Sequence, residues 1–184
     1  MTILAFSGSP RSASAIGHLL RAAVAVAPAG INCTFYEDVL ALPLFSPDLD
    51  APSSSVAPAV AALREQLRAA DAVLIATPEY AYGMPGSLKN ALDWLVSAGS
   101  FYGKPTGVLS ASPSEVGGDR ARAGLLLTLE ALGAAIVPAA SFPIPLVRTR
   151  LGAAGEVTDT GLATKLTAAM TALVAAVPVP DLAD

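Results

Sequence analysis

Ser7-Gly8-Ser9-Pro10-Arg11-Ser12-Ala13-Ser14 separates an apolar run, Thr2 to Phe6, from a stretch of small apolar residues reaching from Ala15 to about Ala27. Strand, Gly/Ser-rich loop and helix form a geometry that collects a phosphate, because the first N–H groups of a helix lack internal partners and carry partial positive charge. Ser9, Ser12 and Ser14 add hydroxyls, and Arg11 adds a permanent charge. An ordinary strand-to-helix turn with serine caps has the same composition, so the loop alone leaves both readings open. It is neither the Gly-Lys-Ser/Thr phosphate loop nor the dinucleotide G-x-G-x-x-G.

A second group is Thr77-Pro78-Glu79-Tyr80-Ala81-Tyr82-Gly83-Met84-Pro85-Gly86, followed by Ser87-Leu88-Lys89-Asn90-Ala91-Leu92-Asp93-Trp94. It follows the apolar run Ala72 to Ala76, which reads as a buried parallel strand, and enters a helix near Pro85 to Ser87. Such a loop offers backbone groups and flat aromatic surface to a ring of flavin size. A third group, Ala111-Ser112-Pro113-Ser114-Glu115-Val116-Gly117-Gly118, follows the strand Thr106 to Ser110. Its Gly-Gly pair would let backbone approach a ring closely.

Taken together, these runs resemble the NADPH-dependent FMN reductase family. Pro78 to Trp94 is similar to that family's Pro-Glu-Tyr-Asn … Pro-Gly-x-Leu-Lys-Asn-Ala-x-Asp-Trp signature. Gly8 to Ser14 looks like its Gly-Ser-x-Arg-x-x-Ser-x-Asn loop, which holds the FMN phosphate. Ser112, Gly117 and Gly118 match its loop against the isoalloxazine, with Ser114 in place of the usual glycine. Ile16 and Ala81 stand where the family has asparagine, which predicts looser FMN binding. The resemblance runs from Phe6 to about Leu173 and implies an FMN site built from Ser9, Arg11, Ser12, Ser14, Ile16, Pro78, Glu79, Tyr80, Ala81, Tyr82, Gly83, Ser112, Gly117 and Gly118. It further implies NADPH or NADH as reductant, quinones, metal oxyanions or azo compounds as acceptors, and a homodimer or homotetramer. No catalytic side chain is expected, since the flavin carries the chemistry. Glu79 is expected to act through its backbone or across a subunit contact, and Tyr80 and Tyr82 to shape a stacking pocket.

The elements that must position these loops alternate. Strands are expected at Thr2–Phe6, Ile31–Tyr36, Ala72–Ala76, Thr106–Ser110 and Ala135–Val137, with Phe142–Val147 as a tail along the edge. Helices are expected at 15–27, 56–70, 87–96, 119–132 and 160–177. Leu63, Leu67 and Ala70 mark the inner side of the second helix, with Arg64, Glu65 and Arg68 on its wet side. Trp94 reads as packing, and Lys89 with Asp93 as a simple i,i+4 pair. The irregular segment Leu40 to Ser55, with Leu42-Pro43-Leu44-Phe45, borders the site, forms a subunit contact or closes one end of the sheet. Alternation of this kind implies an α/β, flavodoxin-like, doubly wound parallel sheet of five strands in the order 2-1-3-4-5, layered α/β/α. In that order the ligand crevice opens between strands one and three, whose following loops are the first two groups above.

Composition narrows the function classes. A chain of 184 residues suits one domain, 1–184, and 53% hydrophobic against 14% charged residues argues against disorder. A net charge of −4 without any basic cluster makes nucleic acid and anionic membranes poor partners. The single histidine, His18, and single cysteine, Cys33, exclude a His-rich or Cys-rich metal site, and Cys33 reads as a buried, inert thiol. Asp48 and Asp50 are not read as a metal pair. The first residues lack a basic start and a signal core, and no apolar run is long enough to span a bilayer, so a cytoplasmic protein is expected. The leading expectation is an NAD(P)H-dependent FMN oxidoreductase working by a ping-pong scheme. The alternatives are a flavodoxin-type electron carrier and a flavin-binding redox sensor.

Overall fold

The computed structural model describes residues 1–51 and 54–178. β1 (Thr2–Ser7), α1 (Ala15–Ala25), β2 (Asn32–Tyr36), α2 (Pro58–Ala69), β3 (Ala72–Pro78) and α3 (Gly86–Asp93) make up the first half. β4 (Pro105–Ala111), α4 (Asp119–Ala131), β5 (Ala135–Ile136), β6 (Phe142–Ile144) and α5 (Thr160–Ala175) follow. All pairings are parallel and the order is β2-β1-β3-β4-β5, with β6 also on β4, which is the flavodoxin-like arrangement.

Both faces of the sheet are covered, so its central strands read as unbroken apolar runs. Within each run the side chains still alternate. Ile3, Ala5, Leu74 and Leu109 face α1 and α5, whereas Leu4, Phe6, Ile75 and Val108 face α2, α3 and α4.

The fifth sheet position is split between two short strands. β5 pairs with Pro105 and Thr106, β6 pairs with Leu109 to Ala111, and a 3-10 turn, Pro138–Ala140, lies between them. Pro138 has no N–H to give a ladder. Ser141 fills the gap: its Oγ accepts from the Val108 N–H and donates to the Val137 carbonyl.

α3 stops at Asp93, short of the expected Val96. The Trp94 carbonyl there accepts two bonds from Arg64, at 2.6 and 3.0 Å, which satisfies a helix-end acceptor from outside the helix. Arg64 is therefore not on a solvated face; Glu65 and Arg68 are, and they pair with each other. Leu88, Ala91, Leu92 and Leu95 are fully buried in the chain's own core, so this side of α3 is not free for a second subunit. Among the described residues no helix is long and apolar enough to cross a membrane, and no acidic or His/Cys cluster could hold a metal. Cys33, expected to be buried, is half-buried, and that partial burial pushes its thiol up.

Candidate functional site

The loop after β1 is built from its own serines. Ser9 Oγ accepts from the Arg11 N–H at 3.2 Å, and Ser14 caps α1 by accepting from the Gly17 N–H at 3.2 Å. Gly8 is required by a close approach. A Cβ there would meet Leu88 Cδ2 at 2.6 Å, and the Gly8 N–H donates to the Ala76 carbonyl. The start of α3 thus presses the loop against β3. Ala15 and Ile16 begin the helix with N–H groups that have no intrahelical partner. The Ile16 side chain is 2% exposed and packs with Leu19 and Leu20, so it offers a bound anion nothing beyond its backbone.

After β3 the chain makes a two-residue turn. Tyr80 and Gly83 exchange both backbone hydrogen bonds, at 2.9 and 3.0 Å, with Ala81 and Tyr82 between them at φ 49° and 65°. Two consecutive positive φ values have the sign pattern of a type I′ turn, which favours Asn-Gly; Ala-Tyr adopts it under strain. The Arg120 guanidinium of α4 lies 4.0 Å from the Tyr82 ring centroid, a cation–π contact that holds the turn from outside. Glu79 does more than was expected of it. Its carboxylate accepts from the Ala121 N–H at 3.0 Å, capping the first turn of α4 and tying the β3 and β4 loops together.

The loop after β4 is bound in turn to the segment after β6. Leu146 N–H donates to the Ser114 carbonyl at 3.0 Å and Val147 N–H to the Ser112 carbonyl at 3.1 Å. Gly117, at φ 64°, is needed where this loop crosses that segment, since a Cβ would lie 2.7 Å from the Pro145 nitrogen. Gly117 and Gly118 are both buried, so their close approach is to protein backbone.

The three loops enclose a cleft of about 340 Å³ at the carboxyl ends of β1, β3 and β4, a size suited to a small cofactor. Of the residues expected at the site, Ser9, Arg11, Ser14, Ile16, Pro78, Glu79, Tyr80 and Ser112 line it. Ser12, Ala81, Tyr82, Gly83, Gly117 and Gly118 do not. Ser12 turns to a second hollow on the far side of the loop, and Tyr82 is 70% exposed beneath Arg120. Val147 and Arg148 line the cleft without having been foreseen, because no pattern in the sequence distinguishes the connection after β6. A roomier hollow of about 440 Å³ lies between α1 and the 154–157 segment, walled largely by alanine and valine, and no strand-end loop reaches it.

The helical half of the central motif faces away from the cleft. Asn90 Oδ1 accepts from the Phe45 N–H at 2.8 Å, while Asn90 Nδ2 and the Trp94 indole N–H both donate to the Pro43 carbonyl, at 2.9 and 2.8 Å. Phe45 meets Trp94 edge-on at 5.2 Å. The Leu42–Phe45 segment is therefore latched onto α3 and does not line the three-loop cleft; residues 52 and 53 of the same irregular stretch lie outside the described residues. Asp50 completes the latch. Burial raises its carboxyl, but the Ser97 hydroxyl at 2.6 Å and the Arg64 guanidinium at 2.7 Å outweigh that and hold it below the usual carboxylate range.

Residues 1–148 match the family model of NADPH-dependent FMN reductase. An NAD(P)H-dependent FMN reductase of Pseudomonas aeruginosa is 43% identical over 129 residues, covering 69% of this chain and 68% of that one. The quinone reductase of Escherichia coli is 33% identical over 175 residues, covering 94% and 93%. Among solved structures, the flavoenzyme NAD(P)H:(acceptor) oxidoreductase FerB of Paracoccus denitrificans superposes with a TM-score of 0.80 at 29% identity, covering 96% of each chain.

Proposed function

The chain belongs to the NADPH-dependent FMN reductase family, and from that premise we propose that the three-loop cleft holds FMN and passes reducing equivalents from NADPH or NADH to small quinones. The protein is an oxidoreductase for which FMN and NAD(P)H are the expected cofactors. The observation carrying the site assignment is the convergence of Arg11, the capped start of α1 and Tyr80 on one cleft at the expected switch point. The donor set fits FMN at its phosphate end. Arg11 has no carboxylate partner among the described residues, and the Ala15 and Ile16 N–H groups have no intrahelical one.

When bound, FMN supplies hydride acceptance and return, a chemistry no side chain here offers. The protein's share is positional. The β1 loop fixes the phosphate end, Tyr80 offers a flat wall, and Glu79 locks the β3 loop to α4 so that the ring space keeps its width. One cleft leaves room for nicotinamide and acceptor only in turn, so initial rates should give parallel double-reciprocal lines. A second copy of the chain is part of this proposal. Its contact surface is to be sought around exposed Val96 and Leu127, between α3 and α4, because the buried side of α3 is occupied.

The deciding experiment is spectral. Protein reconstituted with FMN should lose its flavin colour on anaerobic addition of NADPH and regain it on addition of a benzoquinone. Flavin that binds but is bleached by neither NADPH nor NADH would assign the chain to carriers or sensors.

A further inference from the structure

The arginines divide by location. Arg21, Arg64, Arg68, Arg122 and Arg150 each pair with a carboxylate within 3.4 Å. Arg11, Arg120 and Arg148 have no carboxylate partner among the described residues; Arg11 and Arg148 line the cleft, and Arg120 lies over the Tyr82 ring outside it. Arg120 is taken up by the Tyr82 ring, which leaves Arg11 and Arg148 as cations lining the cleft with no partner of their own. Among the described residues the only carboxylate lining the same cleft is Glu79, and one of its oxygens is engaged by the start of α4.

Arg148 is also held in place at some expense. It sits in the 3-10 turn Val147–Thr149, whose preceding residue, Leu146, is in the left-handed region at φ 51°. For a leucine this conformation is strained and persists only where the surroundings enforce it. They do so here through the two backbone bonds to Ser112 and Ser114, the buried Val147 side chain, and Arg150, whose Nε donates to the Pro145 carbonyl at 2.8 Å. Two arginines of one short segment thus have opposite fates. Arg150 is a strap, and Arg148 is delivered to the cleft.

A phosphate monoester carries about −1.5 to −2 at neutral pH, which a single arginine does not neutralise. Building on the FMN reading above, we infer that Arg148 is a second phosphate-binding residue of this cleft, contacting a phosphate group of a bound nucleotide together with Arg11. Two sources share that chemistry, the FMN phosphate and the 2′-phosphate of NADPH, and each has a natural control lacking the group: riboflavin and NADH.

The test titrates FMN and riboflavin into wild type, Arg148→Ala, Arg148→Lys and Arg11→Ala, and measures KM for NADPH and NADH on the same reconstituted proteins. Arg148 makes no hydrogen bond or ion pair within the described chain, so the variants should keep the wild-type circular dichroism and melting point. Arg148→Ala is expected to weaken FMN about tenfold and leave riboflavin unchanged, with Arg148→Lys recovering part of the loss. The loss should shrink in high salt. If FMN affinity holds while KM rises for NADPH and not for NADH, the phosphate is that of the reductant. If neither pair separates, Arg148 binds no phosphate and the inference is wrong. Arg11→Ala keeps the two levels apart: a wild type that does not prefer FMN to riboflavin overturns the flavin reading itself. A preference abolished by Arg11→Ala but untouched by Arg148→Ala overturns only the role of Arg148.

Discussion

Residues 78–83 and 86–94 are neighbours in one sequence motif and opposites in physical character. The first part is half-exposed, carries two residues at positive φ, and reaches toward ligand space through Pro78, Glu79 and Tyr80. The second is a helix whose Leu88, Leu92 and Trp94 are buried and whose polar groups, Asn90 and the indole N–H, are spent on Pro43 and Phe45. A motif that looks like a single functional signature is therefore a site segment joined to a structural anchor. Strain in the first is tolerable because the second is over-determined. The anchor also acts on the site, because Leu88 is the side chain against which Gly8 brings the phosphate loop to rest.

If this division is right, damage to the helical half should appear in stability and damage to the cleft half in binding. The largest effect is expected at Trp94. Trp94→Ala removes a buried ring, its edge-on contact with Phe45 and a hydrogen bond to the Pro43 carbonyl, and should cost about 3–5 kcal/mol in urea unfolding. A loss under 1 kcal/mol would mean the latch is not an anchor. Next comes Arg11→Ala, expected to weaken FMN by about 1.5–3 kcal/mol while unfolding stays within about 0.5 kcal/mol of wild type. An unfolding midpoint that fell together with the affinity would dissolve the distinction. Asn90→Ala comes third. It strips the Phe45 N–H of its acceptor and should cost about 1–3 kcal/mol of stability, with FMN affinity in the folded protein unchanged by calorimetric titration.

The same contrast explains what could be read from the sequence. Strand order, helix positions and the crevice were legible because both-faced burial and strand-to-helix alternation are local patterns, as in Ala72–Ala76 followed by the turn and α3. Arg11, Ser9, Ser14, Tyr80 and Ser112 were legible because their loops sit directly after strands. Arg64 was not, because a charge at helical spacing looks solvated until a carbonyl 30 residues away proves to be its partner. The carboxylate contact of Glu79 and the placement of Arg148 at the cleft escaped for the same reason: they depend on Ala121, Ser112 and Ser114, which no spacing rule connects to them. The Gly117-Gly118 pair was legible as a close approach but not as an approach to Pro145, Ser110 and Glu79.

The smallest expected effect concerns Ala81, and it cuts most finely between the two halves. An asparagine there, as the family signature has it, suggested a polar contact with flavin. The structure instead gives position 81 a left-handed backbone in an exposed turn that does not line the cleft. Asparagine tolerates that conformation far better than alanine, since its short amide bonds locally. Ala81→Asn should therefore relax the turn and raise unfolding stability by about 0.5–1 kcal/mol, with FMN affinity altered by no more than about twofold. Ala81→Gly should behave alike, because it relieves the same φ without adding any polar group. That pair isolates the cause, as a backbone explanation predicts two similar variants and a ligand contact predicts two different ones. Should Ala81→Asn bind FMN tenfold more tightly while Ala81→Gly does not, the amide is reaching the cofactor, the turn swings into the cleft on binding, and position 81 belongs to the site after all.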